Sequence, residues 1–378
     1  MKTRLESVDI LRGIAAIGVF LFHVCVSAGF DKRTLPPFEL LGRSFHSIPN
    51  LFSLGSSGVN LFFVVSGFCL ALQRVGKPQR TFSGGELRSY WQNRLARVVP
   101  AYWLTVLLAA ALAMVSGRVD RESVGSDVLL HMLFLHGCNP RTFLGIHGGL
   151  WSMATEVQFY LVFPLLLVVW DRLGTRWFAI STALVTLAFR IAAAALPVTD
   201  PAAGVSSSVL LSYQLPGRLS EFCLGIVVAE LYRKRSNGTR AWPFGVAVLA
   251  LLPPTLWIRA RGPQSLADLS LGLMYACILA TVVLADQSRK SWWRSLGAAF
   301  GRSSYSFFLL HYLVLAALAL GGPSLEMPWT RALFLAGVGL PISILAGVLF
   351  YNAIEVPFWR WLRSDPAKRQ PGADPVAS

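Results

Sequence analysis

The chain has 378 residues, of which 54% are hydrophobic and only 14% charged, with a formal net charge of +15. A soluble domain carries about a quarter charged residues, so the composition excludes an ordinary water-soluble globule. The basic balance does not indicate a nucleic-acid partner, because Lys and Arg gather in short segments between long apolar blocks, as membrane topology requires.

Blocks of about 17 to 25 apolar residues are long enough to cross a bilayer. They predict ten helical spans, at 8–28, 52–73, 98–116, 150–170, 177–196, 208–232, 241–258, 268–286, 298–320 and 332–357. The fold class expected is all-α, a polytopic membrane protein with both termini on one side. Twenty-one of the 34 Lys and Arg residues fall in the N-terminus, the tail and the connections on that side, and nine on the other, which makes the termini cytoplasmic. Residues 1–363 form one transmembrane domain in this reading. The tail 364–378, rich in Pro, Ala and charge, is expected to be disordered. Segment 127–137 is apolar but too short to span, which suggests a re-entrant or interfacial piece.

The first span carries Asp9, Arg12 and His23, and ionisable groups at membrane depth mark a functional site by default. Asp9 is three residues from Arg12 and within reach of an i,i+3 pair, a purely structural role. Arg12 and His23 are eleven residues apart, about 1,100° of helical turn, so they return to nearly one face roughly 16 Å apart. Counted from Val8, His23 lies about 22 Å deep. A neutral imidazole there can take a proton from a hydroxyl; the alternative is a histidine hydrogen-bonded to a neighbouring helix.

Arg94 and Arg97 share a helix face just before the third span, where guanidinium forks suit phosphate groups, although any cytoplasmic loop end is basic. Glu156 enters the fourth span from outside, at a depth similar to His23. It is placed to orient the imidazole, to bind a sugar together with Gln158, or to tie helices together. Arg218 and Glu221 form an i,i+3 pair within the sixth span, substrate-binding or structural. His311 lies well into the ninth.

Five cysteines, with no C-x-x-C pair, indicate neither a metal site nor a disulfide framework. His131 and His136, five apart, do not share a helix face, and no metal is expected. Lys2 and Arg4 before an apolar run mimic a signal peptide, but Asp9 and Arg12 interrupt its core, so the helix is read as retained. Composition and spacing leave three classes open: an enzyme, a transporter or flippase of a lipid-linked glycan with a midplane site, and a membrane scaffold or sensor.

Several stretches, taken in order, resemble the membrane-bound acyltransferase-3 family. They are Asp9-x-x-Arg12-Gly13-x-Ala15 with His23 eleven residues after Arg12, Gly58 to Phe68, Arg94-x-x-Arg97-x-x-Pro100-x-Tyr102, and Trp151-Ser152 through Glu156 to Tyr160. Arg218-x-x-Glu221-Phe222, Ser304-Tyr305 through His311, and Tyr351 to Pro357 continue the series. The chain departs from the pattern at Met153, Thr155 and Val157 but keeps Glu156. The resemblance implies a stand-alone O-acyltransferase of the bacterial cytoplasmic membrane. Such an enzyme moves an acyl group, most often acetyl, from cytoplasmic acyl-coenzyme A (acetyl-CoA) to a carbohydrate or glycoconjugate hydroxyl. It implies His23 as the catalytic residue, with Arg12, Arg94 and Arg97 engaging the donor or holding the site. The donor is a substrate, so no permanently bound cofactor is expected. Acceptor identity and oligomeric state are not implied.

Overall fold

A computed structural model describes residues 5–31, 34–40, 43–45, 50–77, 80–196, 205–235, 240–286 and 291–364. The expected disordered tail lies outside these residues beyond Ser364. Among the described residues the chain is helical apart from loops and one small hairpin on the predicted outer side, in which β1 (Phe38–Leu40) pairs antiparallel with β2 (Arg43–Phe45).

The helix α1 (Glu6–Ser27) forms as its apolar pattern predicts. A 3₁₀ segment, Leu51–Ser57, leads into α2 (Gly58–Leu72). The next helix, α3 (Gly84–Val115), starts fourteen residues before the predicted span. A capping box explains the early start: the Glu86 amide donates to Ser83 Oγ, and the Ser83 amide donates to the Glu86 carboxylate at 3.1 Å. The basic stretch with Arg88, Arg94 and Arg97 is therefore helical, which gives those arginines fixed directions.

The expected short piece near 127–137 is the twelve-residue α4 (Arg121–Met132) followed by a 3₁₀ turn at His136–Cys138. The fourth and fifth predicted spans form as two helices, labelled together α5 (Trp151–Ala194) and separated by a kink at Gly174, whose φ of 70° and ψ of 163° suit glycine. At 44 residues the run would measure about 66 Å unbroken, twice an apolar bilayer core of about 30 Å.

The predicted sixth span divides. A short α6 (Ser207–Ser212) precedes α7 (Leu215–Lys234), whose first turn carries Pro216, a residue suited to that place. Then come α8 (Trp242–Arg261) and α9 (Gln264–Ala285). The ninth span divides as well, into α10 (Trp292–Arg302), which packs on α1, and α11 (Ser304–Gly321). One face of α10 exposes Trp292, Trp293 and Leu296, while Gly301 lies against the Asp9 backbone. The last apolar block is α12 (Pro328–Phe350), which continues through a π turn at Tyr351–Glu355 into α13 (Val356–Ser364).

Eight helical stretches among the described residues are long and apolar enough to cross a membrane. The fourth and fifth of the ten expected spans are the two halves of α5 on either side of Gly174, and the sixth contains α7, which Arg218, Glu221 and Glu230 keep out of that set. Helices α2 and α7 pack closely against each other. Gly67 faces the Phe222 backbone and Gly225 faces the Val64 backbone, so neither position has space for a Cβ. Small residues bring helices together this way where no water-driven force acts between them.

Candidate active site

A cleft opens between α1, α2, α3, α5 and α11. It gathers three arginines from two segments far apart in the chain: Arg12 from α1, and Arg94 and Arg97 one turn apart on α3. Ser66, Glu156 and Tyr160 line it as well. Arg94 is 6% exposed, its Nε has no hydrogen-bond partner, and no carboxylate pairs with it among the described residues. Its guanidinium instead lies 5.8 Å from the Tyr90 ring centroid and 5.6 Å from that of Tyr160. The cleft's carboxylate is turned elsewhere: Tyr160 Oη donates to Glu156 at 2.5 Å and Ser66 Oγ at 3.4 Å. Ser304 Oγ, fully buried in the lining, has no partner among the described residues either. The sum is a cationic recess with unsatisfied donors, suited to an anionic ligand.

Arg12 and Asp9 do not form the ion pair the spacing allowed. Arg12 is half-buried and lines the cleft, without an ion-pair partner among the described residues. Asp9 is buried at the α1–α10 contact, with its backbone against Gly301.

His23 lies on the same unbroken helix as Arg12, nearer its C-terminal end, and is half-buried. It does not meet Glu156. Its Nδ1 lies 2.8 Å from Nε2 of His311 on α11, with ring centroids 5.0 Å apart. The expectation that Glu156 orients the imidazole is thus corrected: the carboxylate is bound to Tyr160 and Ser66, and a second imidazole holds His23. Tyr312, one residue on, sets its ring edge-on to His23 at 5.3 Å. The connection between cleft and histidines is Phe308, which lines the cleft and lies 5.6 Å from the His311 ring.

The loop before α5 closes over this pair. His147 donates from Nε2 to the Leu309 carbonyl at 3.2 Å, and its Nδ1 accepts from the Gly149 amide at 3.1 Å. Both ring nitrogens are therefore satisfied in the neutral form. Burial, reinforced by the neighbouring His311, holds the His147 imidazole far below its ordinary value, at about 3. Arg118, exposed at the mouth, donates to Tyr312 Oη at 3.1 Å.

Arg218 and Glu221 are not at this site. Their 2.9 Å ion pair belongs to a buried network in which Asp268 accepts from Arg190 at 2.6 Å and from Arg218 at 3.2 Å. Asn60 donates to Glu221 at 2.7 Å. Two arginines balance two acids, joining α2, α5, α7 and α9. Gln158 is also structural: its amide donates to Gln214 at 2.8 Å and its carbonyl accepts from the Leu215 amide that opens α7. Reading the sequence by residue did not single out Tyr160, His147 or Tyr312. Tyr160 was visible in principle, since it sits one turn after Glu156.

The acyltransferase domain model of the acyltransferase-3 family matches residues 5–348, from α1 to the last turn of α12. The chain belongs to the acyltransferase-3 family. This acyltransferase is 26% identical to "Acyltransferase MdmB" of Streptomyces mycarofaciens, over 95% of its own length and 92% of that protein. It is 25% identical to "Exopolysaccharide production protein ExoZ" of Rhizobium meliloti, over 82% of its length and 91% of that relative. A third relative, "Peptidoglycan O-acetyltransferase OatA" of Listeria monocytogenes, is 20% identical over 93% of this chain but only 55% of its own. No solved structure matches.

Proposed function

We propose that this acyltransferase moves an acyl group, acetyl by preference, from cytoplasmic acyl-coenzyme A to a hydroxyl of a carbohydrate or glycoconjugate, with His23 as general base. The observation that carries the reading is Arg94, buried without a carboxylate in a cleft it shares with Arg12 and Arg97. A buried cation without a counter-charge is costly, by several kcal/mol after relaxation. An anionic ligand offsets that cost, and the phosphates of a coenzyme A thioester supply the charge.

The bilayer is that of the bacterial cytoplasmic membrane in this reading. Both termini and the Arg94–Arg97 end of α3 face the cytoplasm, as the distribution of Lys and Arg supports. The acceptor enters from the other side, past Tyr312 and Arg118. His23 removes the hydroxyl proton while the oxygen attacks the thioester carbonyl. The new C–O bond forms, the C–S bond breaks, and the thiolate leaves with the proton that His23 took. The relatives' names carry the same chemistry: acyl transfer, exopolysaccharide production and O-acetylation of peptidoglycan.

Purified protein in detergent provides the test. With acetyl-CoA and a glycan extract from a strain lacking the gene, it is expected to release free coenzyme A thiol without any membrane gradient. A transporter or flippase gives no thiol under those conditions. Full activity in a folded His23→Ala protein would overturn the assignment of the base.

A further inference from the structure

We infer that His311 is the residue that fixes the protonation pattern of His23, and so decides which of its nitrogens is basic. This rests on the reading of His23 as the base. The hydrogen-bond chain starts at a backbone oxygen. His311 Nδ1 lies 2.7 Å from the Phe308 carbonyl, which can only accept, so the proton of a neutral His311 is on Nδ1. Its Nε2 then carries the lone pair. His23 Nδ1, 2.8 Å away, must donate to it. The lone pair of a neutral His23 is left on Nε2.

That nitrogen makes no hydrogen bond to any described residue, and His23 is half-buried, whereas His311 is fully buried. The half-buried partner is therefore presented as a base and the fully buried one is committed to holding it. Orientation is constrained as tightly as tautomer. His311 is stacked on Phe307 with centroids 5.7 Å apart and an interplanar angle of 11°, and it meets Phe20 edge-on at 6.3 Å. His23 in turn is held between Phe22 at 5.2 Å and Tyr312 at 5.3 Å.

The arrangement does the work that a carboxylate does behind a catalytic histidine in many hydrolases. Here, among the described residues, neither imidazole has a carboxylate partner. When His23 accepts a proton on Nε2, its Nδ1–H bond to His311 strengthens, and the charge is shared along the chain that ends on the Phe308 carbonyl. His311 is thus a positioning residue: it acts through His23 and does not touch substrate.

The experiment compares His311→Phe, which keeps a ring but no nitrogen, with His311→Gln, whose side-chain carbonyl can still accept from His23 Nδ1. Membranes from a strain lacking the gene, carrying each variant, supply the native acceptor. Transfer of radiolabelled acetyl from acetyl-CoA to the glycan fraction gives kcat, and the KM for acetyl-CoA. His311→Phe is expected to lower kcat about 100-fold or more with little change in that KM, and His311→Gln to recover at least a tenth of the activity. Nitrogen-15 NMR of histidine-labelled protein is expected to give an unprotonated Nε2 at His23 in the wild type and in His311→Gln, and a tautomer mixture in His311→Phe.

Wild-type kcat in His311→Phe would overturn the inference, as would an equal loss in both variants with the His23 tautomer unchanged. A control separates this from failure of the base itself: if His23→Ala retains full transfer, the reading of His23 falls first. If His23→Ala is dead while His311→Phe is fully active, only the role of His311 falls.

Discussion

Tyr160 stands between Arg94 and Glu156: its ring takes the guanidinium at 5.6 Å while its hydroxyl donates to the carboxylate at 2.5 Å. The arginine and the acid line one cleft without forming a pair. Tyr160 occupies the acid with a neutral donor and offers the arginine a π-face, which leaves the positive charge available to a ligand.

Removing that charge is expected to weaken the donor. Arg94→Ala should raise the KM or Kd for acetyl-CoA by at least 10-fold, since charge-assisted hydrogen bonds contribute about 1.5–3 kcal/mol. Arg88, exposed on the same helix, provides the contrast, and Arg88→Ala is expected to change donor affinity less than about twofold. Isothermal titration with acetyl-CoA in detergent measures both.

Tyr160→Phe tests the partition directly. Without the hydroxyl, Glu156 loses its 2.5 Å partner and becomes free to neutralise an arginine of the cleft. Donor affinity is expected to fall several-fold although no cation was removed. The double variant Tyr160→Phe with Glu156→Gln should recover most of it. Binding that is unchanged in Tyr160→Phe would contradict the partition.

His147 imposes a pH dependence on stability. Its imidazole, held at about 3 by burial and by His311, refuses a proton that the unfolded chain accepts around 6.5. Its contribution is complete above that upper value and declines as pH falls toward the lower one, on the order of 2 kcal/mol between pH 7 and pH 5. Thermal unfolding in detergent should move to lower temperature over that interval. His147→Gln, neutral at every pH, should flatten the trend.

The buried network is expected to be the most sensitive structural site. Asp268→Ala leaves Arg190 and Arg218 short of a carboxylate inside the helix bundle and should destabilise by about 3–5 kcal/mol. Lys77→Ala, at a pair whose lysine side chain is 45% exposed, should cost less than about 1 kcal/mol. Chemical denaturation in detergent compares the two.

Helix type was readable because apolar runs of bilayer length have few alternatives to helix when backbone groups must be satisfied internally. Boundaries that depend on local chemistry were less visible. The capping box at Ser83 moved the start of α3 back by fourteen residues, and Gly174, at positive φ, sets the break between the two helices of α5. The break between α10 and α11 followed from the packing of α10 on α1, which hydropathy does not encode.

For the site, residue type and spacing were enough to mark Arg12, His23, Arg94, Arg97, Glu156 and His311 as unusual. Ionisable groups in apolar helices need a reason, which made Arg12, His23, Glu156 and His311 conspicuous. Arg94 and Arg97, at a loop end where basic residues are common, were marked by their shared helix face and its suitability for phosphate. Who partners whom was decided only in three dimensions. Depth along a helix can be counted from the sequence, since each residue rises about 1.5 Å, but the lateral neighbour of a side chain is set by how helices far apart in the chain pack together. So the counted depth made Glu156 a candidate partner for His23, and the packing of α11 against α1 gave that place to His311.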